Sequence, residues 1–302
     1  MPAVANPTTT SIRKRLPAAT VADLEFIAGE TEISRMAEVF LEQGAMVIRG
    51  LMNRHIAAVR RDIMQTTDEA IAQLDSATRS DVGWHTPNGS LFIPSPAGYV
   101  RQQQIMVTGT NYKTSAALLQ SALEPALLDI VEAILGPNIE TFNLGQCLVK
   151  EPAGGHPKHL HQDSAYFEHR YLGPVGVLVY CVDTNVERGA LHVVPGTHKL
   201  GQLDHVDTFS HLGLDDGEWP WEAALPIEGN AGDAIFFHVR TVHGSKPNFT
   251  DTPRPVFIHR YRRPDDYIVA GGTTVENRSA RGEHDASQAQ GLMVRGFRSQ
   301  PD

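Results

Sequence analysis

The sequence predicts an α+β fold in which helices come first and an all-β core follows. Two observations carry this. Up to Leu135 apolar residues recur at helical intervals, whereas beyond "GPN" at 136–138 the period changes to two and Gly, Pro and Asp punctuate short segments. The 302 residues, 41% of them hydrophobic, suit one elaborated domain over 21–302, with a strand-rich core at about 136–270.

Residues 1 to about 20 carry Pro, Thr and Ala without hydrophobic pattern and read as a flexible arm. "TEISRMAEVFLEQG" sets Ile33, Met36, Val39 and Phe40 on one helical face, stops at Gly44 and runs into the strand "AMVIRGL". A second helix starts at Asn53, with Ile56, Val59 and Ile63 inward. Residues 76–114 read as loops, "HTPNGS" and "PSPAG", around one strand, "RQQQIMVTG", a region long and polar enough for a lid. A helix over Ser115–Leu135 turns Leu119, Leu123, Leu127, Val131 and Ile134 inward. "ETFNLGQCLVK" alternates, with Phe142, Leu144, Gln146, Leu148 and Lys150 on one face. "VGVLVYCV", "ALHVV", "DAIFFHV" and "RPVFIHRY" continue as strands, and the last 30 residues are polar and expected to wrap the surface.

The formal charge of -9 and pI near 5.8 argue against a nucleic-acid binder, which needs clustered Lys and Arg. The richest basic run, "HRYRR" at 259–263, reads as local anion binding or a solvated strand end. Cys147 and Cys181 sit in apolar runs and are expected to be buried thiols, which fits a reducing cytoplasm. Nothing resembles a secretory signal or a membrane span, so a soluble, cytoplasmic protein with a small-molecule partner is expected. The oligomeric state is not specified.

Chemistry concentrates in "HLHQDSAYF" at 159–167. His161 and Asp163 are two apart and would share one face of a strand. His159 would share it too, and spacing alone does not choose between the histidines. Far along the chain, His243 lies on a turn-rich segment and Arg254 follows eleven residues later. A His, a carboxylate and a distant His can form the facial triad of non-haem Fe(II) oxygenases, which leaves three metal positions open. A planar guanidinium beyond the distal His suits a carboxylate better than an ammonium does.

These residues sit in an ordered series: "LGPNI" at 135–139, "HPKHLHQDSAYF" at 156–167, "GALHVVPGTHK" at 189–199, "GDAIFFH" at 232–238, "HGSKPN" at 243–248, then Arg254. The series resembles the phytanoyl-CoA dioxygenase (PhyH-like) family of Fe(II)/2-oxoglutarate oxygenases across about 125 residues. The resemblance implies a double-stranded β-helix, a cupin-like jelly roll with flanking N-terminal helices. It implies His161, Asp163 and His243 as catalytic iron ligands, with Arg254 on the distal 2-oxoglutarate carboxylate and His159 outside the triad. Gln146 and Tyr166 are further cosubstrate-pocket candidates, Tyr166 only if the strand bends. The implied reaction is hydroxylation, or a related oxidation, of an unactivated C–H bond of a small molecule such as a secondary metabolite, with O2 consumed and succinate and CO2 released. Because Asp163 is retained, the resemblance implies no halogenation. The acidic balance favours a free small molecule over an acyl-CoA.

Two alternatives use the same ligands: a cupin-type isomerase or hydrolase without 2-oxoglutarate, and a non-catalytic binding protein. Arg254 and the ordered motifs weigh against the first, and three intact ligands weigh against the second. Among the remaining polar and aromatic residues, Gly189 and the "PGTH" turn read as structural and Lys150 as a solvated strand end. Asn248 reads equally as a bonder of backbone groups or a plain turn residue, and Trp219 and Trp221 as surface packing rather than an aromatic flap.

Overall fold

The computed structural model describes residues 16, 19–80, 83–94, 103–154, 157–208, 211–270 and 290–299. Nearly all of the N-terminal arm, most of "PSPAG" and residues 271–289 of the C-terminal segment therefore lie outside the described residues.

Two sheets form the core. The major sheet runs Glu25–Ile27, Ala45–Arg49, Ala234–His238, Val175–Tyr180, Arg254–Arg262, Gln146–Lys150, Gln103–Thr108, Leu91–Pro94, Gly83–His85, Thr78–Ser80. The minor sheet runs Leu225–Ile227, Leu191–Val194, Val242–Ser245, Lys158–His161. All described pairings in both are antiparallel except Glu25–Ile27 on Ala45–Arg49. Val177, Val179 and Phe236 of the major sheet share one apolar core with Leu191, Val193 and Ile227 of the minor sheet, as a jelly roll requires.

Alternation on three strands aims the chemistry. On Lys158–His161 and Val242–Ser245, Leu160 and Val242 turn outward into a second apolar cluster with Val194, Leu214 and Trp219. Their neighbours His161 and His243 therefore face the space between the sheets. On Arg254–Arg262, Arg254, Ile258 and Arg260 line that space. From the opposite face Tyr261 donates to the Ala122 carbonyl and His259 bonds Ser121, both on the helical layer. Because helices and the second sheet cover both faces, all nine residues of this strand are buried.

The helices Ile33–Gln43 and Asn53–Ala72 form as the sequence predicts, the first ending at Gly44 with φ 72°, where a glycine is least strained. Several expectations are corrected. The helix over Ser115–Leu135 is two helices, Ala116–Ala122 and Pro125–Leu135. Pro125 has no N–H and disfavours helical backbone before it, so it opens the second helix at its first position, and Leu123 is exposed at the break. Among the described residues of 76–114 there are four strands rather than one, and they extend the major sheet. "ETFNLGQCLVK" is two strands, Ile139–Thr141 and Gln146–Lys150, divided at Asn143, whose φ is 61°. "HRYRR" is no solvated strand end, since residues 259–262 are buried. Of the C-terminal segment, Met293–Arg295 adds a strand to Ile139–Thr141. Cys147 and Cys181 are buried free thiols, and no described helix is long and apolar enough to cross a membrane.

Candidate active site

The paired histidines come from a sheet register. Val242–Ser245 is a strand, not a loop, and His243 stands directly across from His161. Asp163 joins them by a route the spacing did not foresee. The strand ends at His161, and Asp163 opens a 3-10 turn, Asp163–Ala165, which folds the carboxylate back toward the histidines. Asp163 Oδ1 lies 3.5 Å from His161 Nε2 and 3.8 Å from His243 Nε2. One ligand atom from each residue falls within 4.8 Å of the others, and all three side chains are buried.

This donor set fits a divalent metal. Nδ1 of His161 donates to the His159 carbonyl and Nδ1 of His243 to the Thr241 carbonyl, each at 2.8 Å. Those bonds fix the tautomers and leave both Nε2 lone pairs pointing inward. Burial, reinforced by His243 and Lys158, pushes the His161 imidazole down to about 3, and burial also lowers His243, so both are neutral donors. For Asp163 burial works to raise the pKa, but the Arg260 guanidinium beside it holds the carboxyl well below the usual range. Two neutral imidazoles and one carboxylate, with open space beside them, match the ligand set of non-haem iron. His159 contributes its carbonyl, not its ring.

The triad opens into a cavity of about 310 Å³ between the sheets. Arg254, 2% exposed, lines it; one Nη donates to the Gly189 carbonyl, while Nε makes no hydrogen bond. Lys150 faces Arg254 across the strand register and donates to the Ser245 carbonyl at 3.3 Å, so it is a buried wall residue rather than a solvated strand end. Burial, with Arg254 and Lys158 nearby, drives the Lys150 ammonium well below its ordinary pKa. Asn248 donates to the Lys150 and Thr252 carbonyls and accepts from Thr250, holding the loop that delivers Arg254. Gly189, with φ 77°, passes so close that an added Cβ would meet the Lys246 carbonyl at 2.7 Å.

The turn at Asp163 also brings Tyr166 into the cavity wall, its ring edge-on to His161 at 6.0 Å, where it accepts from Lys158 at 2.7 Å. Gln146 lines the cavity too, and its carbonyl oxygen accepts from Arg260 at 3.0 Å. Trp219 is buried in the outer cluster and Trp221 packs edge-on to His192; neither lines the cavity. Sequence reasoning missed two cationic wall residues, Lys158 and Arg260. The signal for Arg260 was present, since it stands six residues past Arg254 and an even spacing on a strand means the same face.

The phytanoyl-CoA dioxygenase (PhyH) family pattern matches residues 40–256, a span that contains the triad and Arg254. The chain belongs to the PhyH family. This PhyH-family chain is 28% identical over 256 residues to human peroxisomal phytanoyl-CoA dioxygenase, covering 78% of this chain and 70% of that one. It is 31% identical over 154 residues to a Stutzerimonas stutzeri protein named "Probable alpha-ketoglutarate-dependent hypophosphite dioxygenase", covering 48% of this chain and 52%, about half, of that protein's length. In fold it resembles the epimerase SnoN, solved with Fe3+, alpha-ketoglutarate and nogalamycin RO, with TM-score 0.57 and 22% identity over 78% of this chain and 86% of the other.

Proposed function

We propose that this PhyH-family protein is an Fe(II)/2-oxoglutarate-dependent oxygenase that oxidises a C–H bond of a small molecule. The observation that carries the reading is the buried convergence of His161, Asp163 and His243 on a cavity whose wall holds Arg254. His161 and His243 would bind iron through Nε2 and Asp163 through Oδ1. Bound there, iron with 2-oxoglutarate supplies O2 activation, releasing succinate and CO2 as the substrate is oxidised.

The chain's own part is placement. Arg254 would hold the distal carboxylate of 2-oxoglutarate, which fits a buried guanidinium whose Nε has no partner. Lys150, beside it, adds a donor to the same end of the cavity. Leu148, Leu178, Leu191, Phe237 and Ile258 line the rest with apolar surface that excludes water around the metal. Tyr166 and Lys158 form the polar patch nearest His161, placed to orient a polar group of the substrate. The cavity has to hold the cosubstrate and the reacting part of the substrate side by side.

Anaerobic addition of Fe(II) and 2-oxoglutarate tests the reading. A visible charge-transfer band without oxygen, and 2-oxoglutarate-dependent succinate formation once O2 is admitted, are expected from the wild type and should vanish in Asp163→Ala. Absence of both from the wild type would indicate a metalloenzyme without 2-oxoglutarate. A substrate screen under O2, read as a mass gain of one oxygen, then identifies the C–H donor.

A further inference from the structure

Arg260 makes an unusual contact with the carboxylate ligand. Its Nε and one Nη both donate to the same oxygen, Asp163 Oδ2, at 3.2 and 3.1 Å. An arginine commonly divides its fork between the two oxygens of a carboxylate. Here the whole fork converges on Oδ2, and Oδ1 is the oxygen that faces His161 and His243, at 3.5 and 3.8 Å. The guanidinium is itself held from two further sides. Its remaining Nη donates to Gln146 Oε1 at 3.0 Å, and the guanidinium carbon sits 5.6 Å from the centre of the Phe167 ring. Arg260 and Asp163 are 5% and 6% exposed, so water does not compete for Oδ2 on equal terms.

We infer that Arg260 is a positioning residue that restricts Asp163 to coordination through Oδ1 alone, with Gln146 locking the guanidinium. The inference rests on the iron-triad reading and deepens it. A carboxylate can offer a metal one oxygen or two, and the choice decides how many positions remain. With two imidazoles and one oxygen, an octahedral ion keeps three positions, enough for a bidentate cosubstrate and dioxygen. With two oxygens it keeps two, and the cosubstrate then competes either with dioxygen or with Oδ2. Occupying Oδ2 with two charge-assisted hydrogen bonds removes that competition. The arrangement also gives Gln146 a role other than direct contact with 2-oxoglutarate: it orients the residue that orients the ligand.

The test compares wild type with Arg260→Met and Arg260→Lys, each confirmed folded by circular dichroism and thermal melting. Two quantities are read on the Fe(II)-loaded proteins without oxygen: 2-oxoglutarate affinity from the charge-transfer band, and the infrared splitting of the Asp163 carboxylate stretches, which separates one-oxygen from two-oxygen binding. Arg260→Met is expected to retain Fe(II), shift Asp163 to two-oxygen binding and bind 2-oxoglutarate roughly tenfold or more weakly, the effect of losing a charge-assisted hydrogen-bond pair. Arg260→Lys, which keeps one donor on Oδ2, is expected to restore most of the affinity and the one-oxygen splitting. Unchanged affinity and splitting in Arg260→Met would overturn the inference. So would loss of Fe(II) itself, because a carboxylate released from Arg260 should bind metal at least as well. If Arg260→Met does not fold, Gln146→Leu replaces it, with a smaller shift of both readings expected and no shift counting against the inference. A wild type that forms no band with Fe(II) and 2-oxoglutarate refutes the triad reading instead, and the two failures are thereby told apart.

Discussion

Replacing Arg254 by Met removes the cation proposed to hold the distal carboxylate of 2-oxoglutarate. Arg254 is 2% exposed, and one of its donors is already committed to the Gly189 carbonyl, leaving Nε and the other Nη for a ligand. Burial lowers its pKa to about 10, which still leaves it cationic near neutrality. Truncating one partner of a buried, hydrogen-bonded charge pair costs about 2–5 kcal/mol. At 1.4 kcal/mol per tenfold, that is a loss of roughly 30-fold to a few thousand-fold in cosubstrate affinity. Lys150 stands across the register and offers a residual donor, which places the expected loss near the lower end, about 30- to 100-fold. Arg254→Lys should fall between, because an ammonium keeps charge but not the planar fork. The assay is an anaerobic titration of 2-oxoglutarate into the Fe(II)-loaded variant, with the KM for succinate formation as a second reading. The melting temperature controls for the lost bond to Gly189. A folded, metal-loaded Arg254→Met with wild-type 2-oxoglutarate affinity would refute the assignment and move the anchor to Lys150 or Lys158.

Other consequences follow from the packing. Gly44→Ala should destabilise the protein by about 2–3 kcal/mol in urea melts, since φ is 72° and the new Cβ would lie 2.2 Å from His198 Nδ1 and 2.5 Å from Thr241 Oγ1. Trp219→Ala should cost about 3–5 kcal/mol by loss of outer-cluster packing and leave 2-oxoglutarate affinity within error, because the side chain does not line the cavity. Acid should unfold the protein through two buried histidines. Burial, then His55, pushes His259 down to about 3, while Tyr112 donates to its Nδ1 and its Nε2 donates to Ser121; burial, then His198 and Arg240, pushes His238 down to about 3. Below an unfolded value near 6.5 the unfolded chain takes up protons that the native chain refuses. Stability is therefore full above that pH and falls as pH drops toward 3, by about 1.4 kcal/mol per pH unit for each histidine. Urea midpoints at a series of pH values should show this slope, and His259→Phe should lower it by about one proton; an unchanged slope would exclude His259 as a source.

How much of the site was legible depended on whether a residue's role follows from local spacing. Arg254, Gln146 and Lys150 lie on regular strands, so alternation alone places them on one wall once the strands are assigned. Lys150 nevertheless read as solvated, because burial at a strand end is decided by what packs over it, here the Asn248 loop and Ser245. Asp163 was rightly grouped with His161 for the wrong reason, since a 3-10 turn and not strand period turns it inward. The same turn brings Tyr166 to the cavity, a placement that strict alternation denied. Pro125 was readable as a helix break and shows that a long apolar period can span two helices in sequence.

The sequence by itself determined that helices precede a strand-rich core and which residues are able to bind a metal, because periodicity and donor chemistry are local properties of the chain. The tertiary structure decided the rest. Pairing Lys158–His161 with Val242–Ser245 sets His161 opposite His243 across 82 positions of sequence, and pairing Gln146–Lys150 with Arg254–Arg262 brings Gln146 within reach of Arg260. Register is a long-range choice driven by burial of whole strand faces, so no short stretch encodes it. For the same reason "HRYRR", which reads alone as a basic surface run, becomes in the sheet a strand whose one face anchors the helices and whose other face holds the Asp163 carboxylate through Arg260.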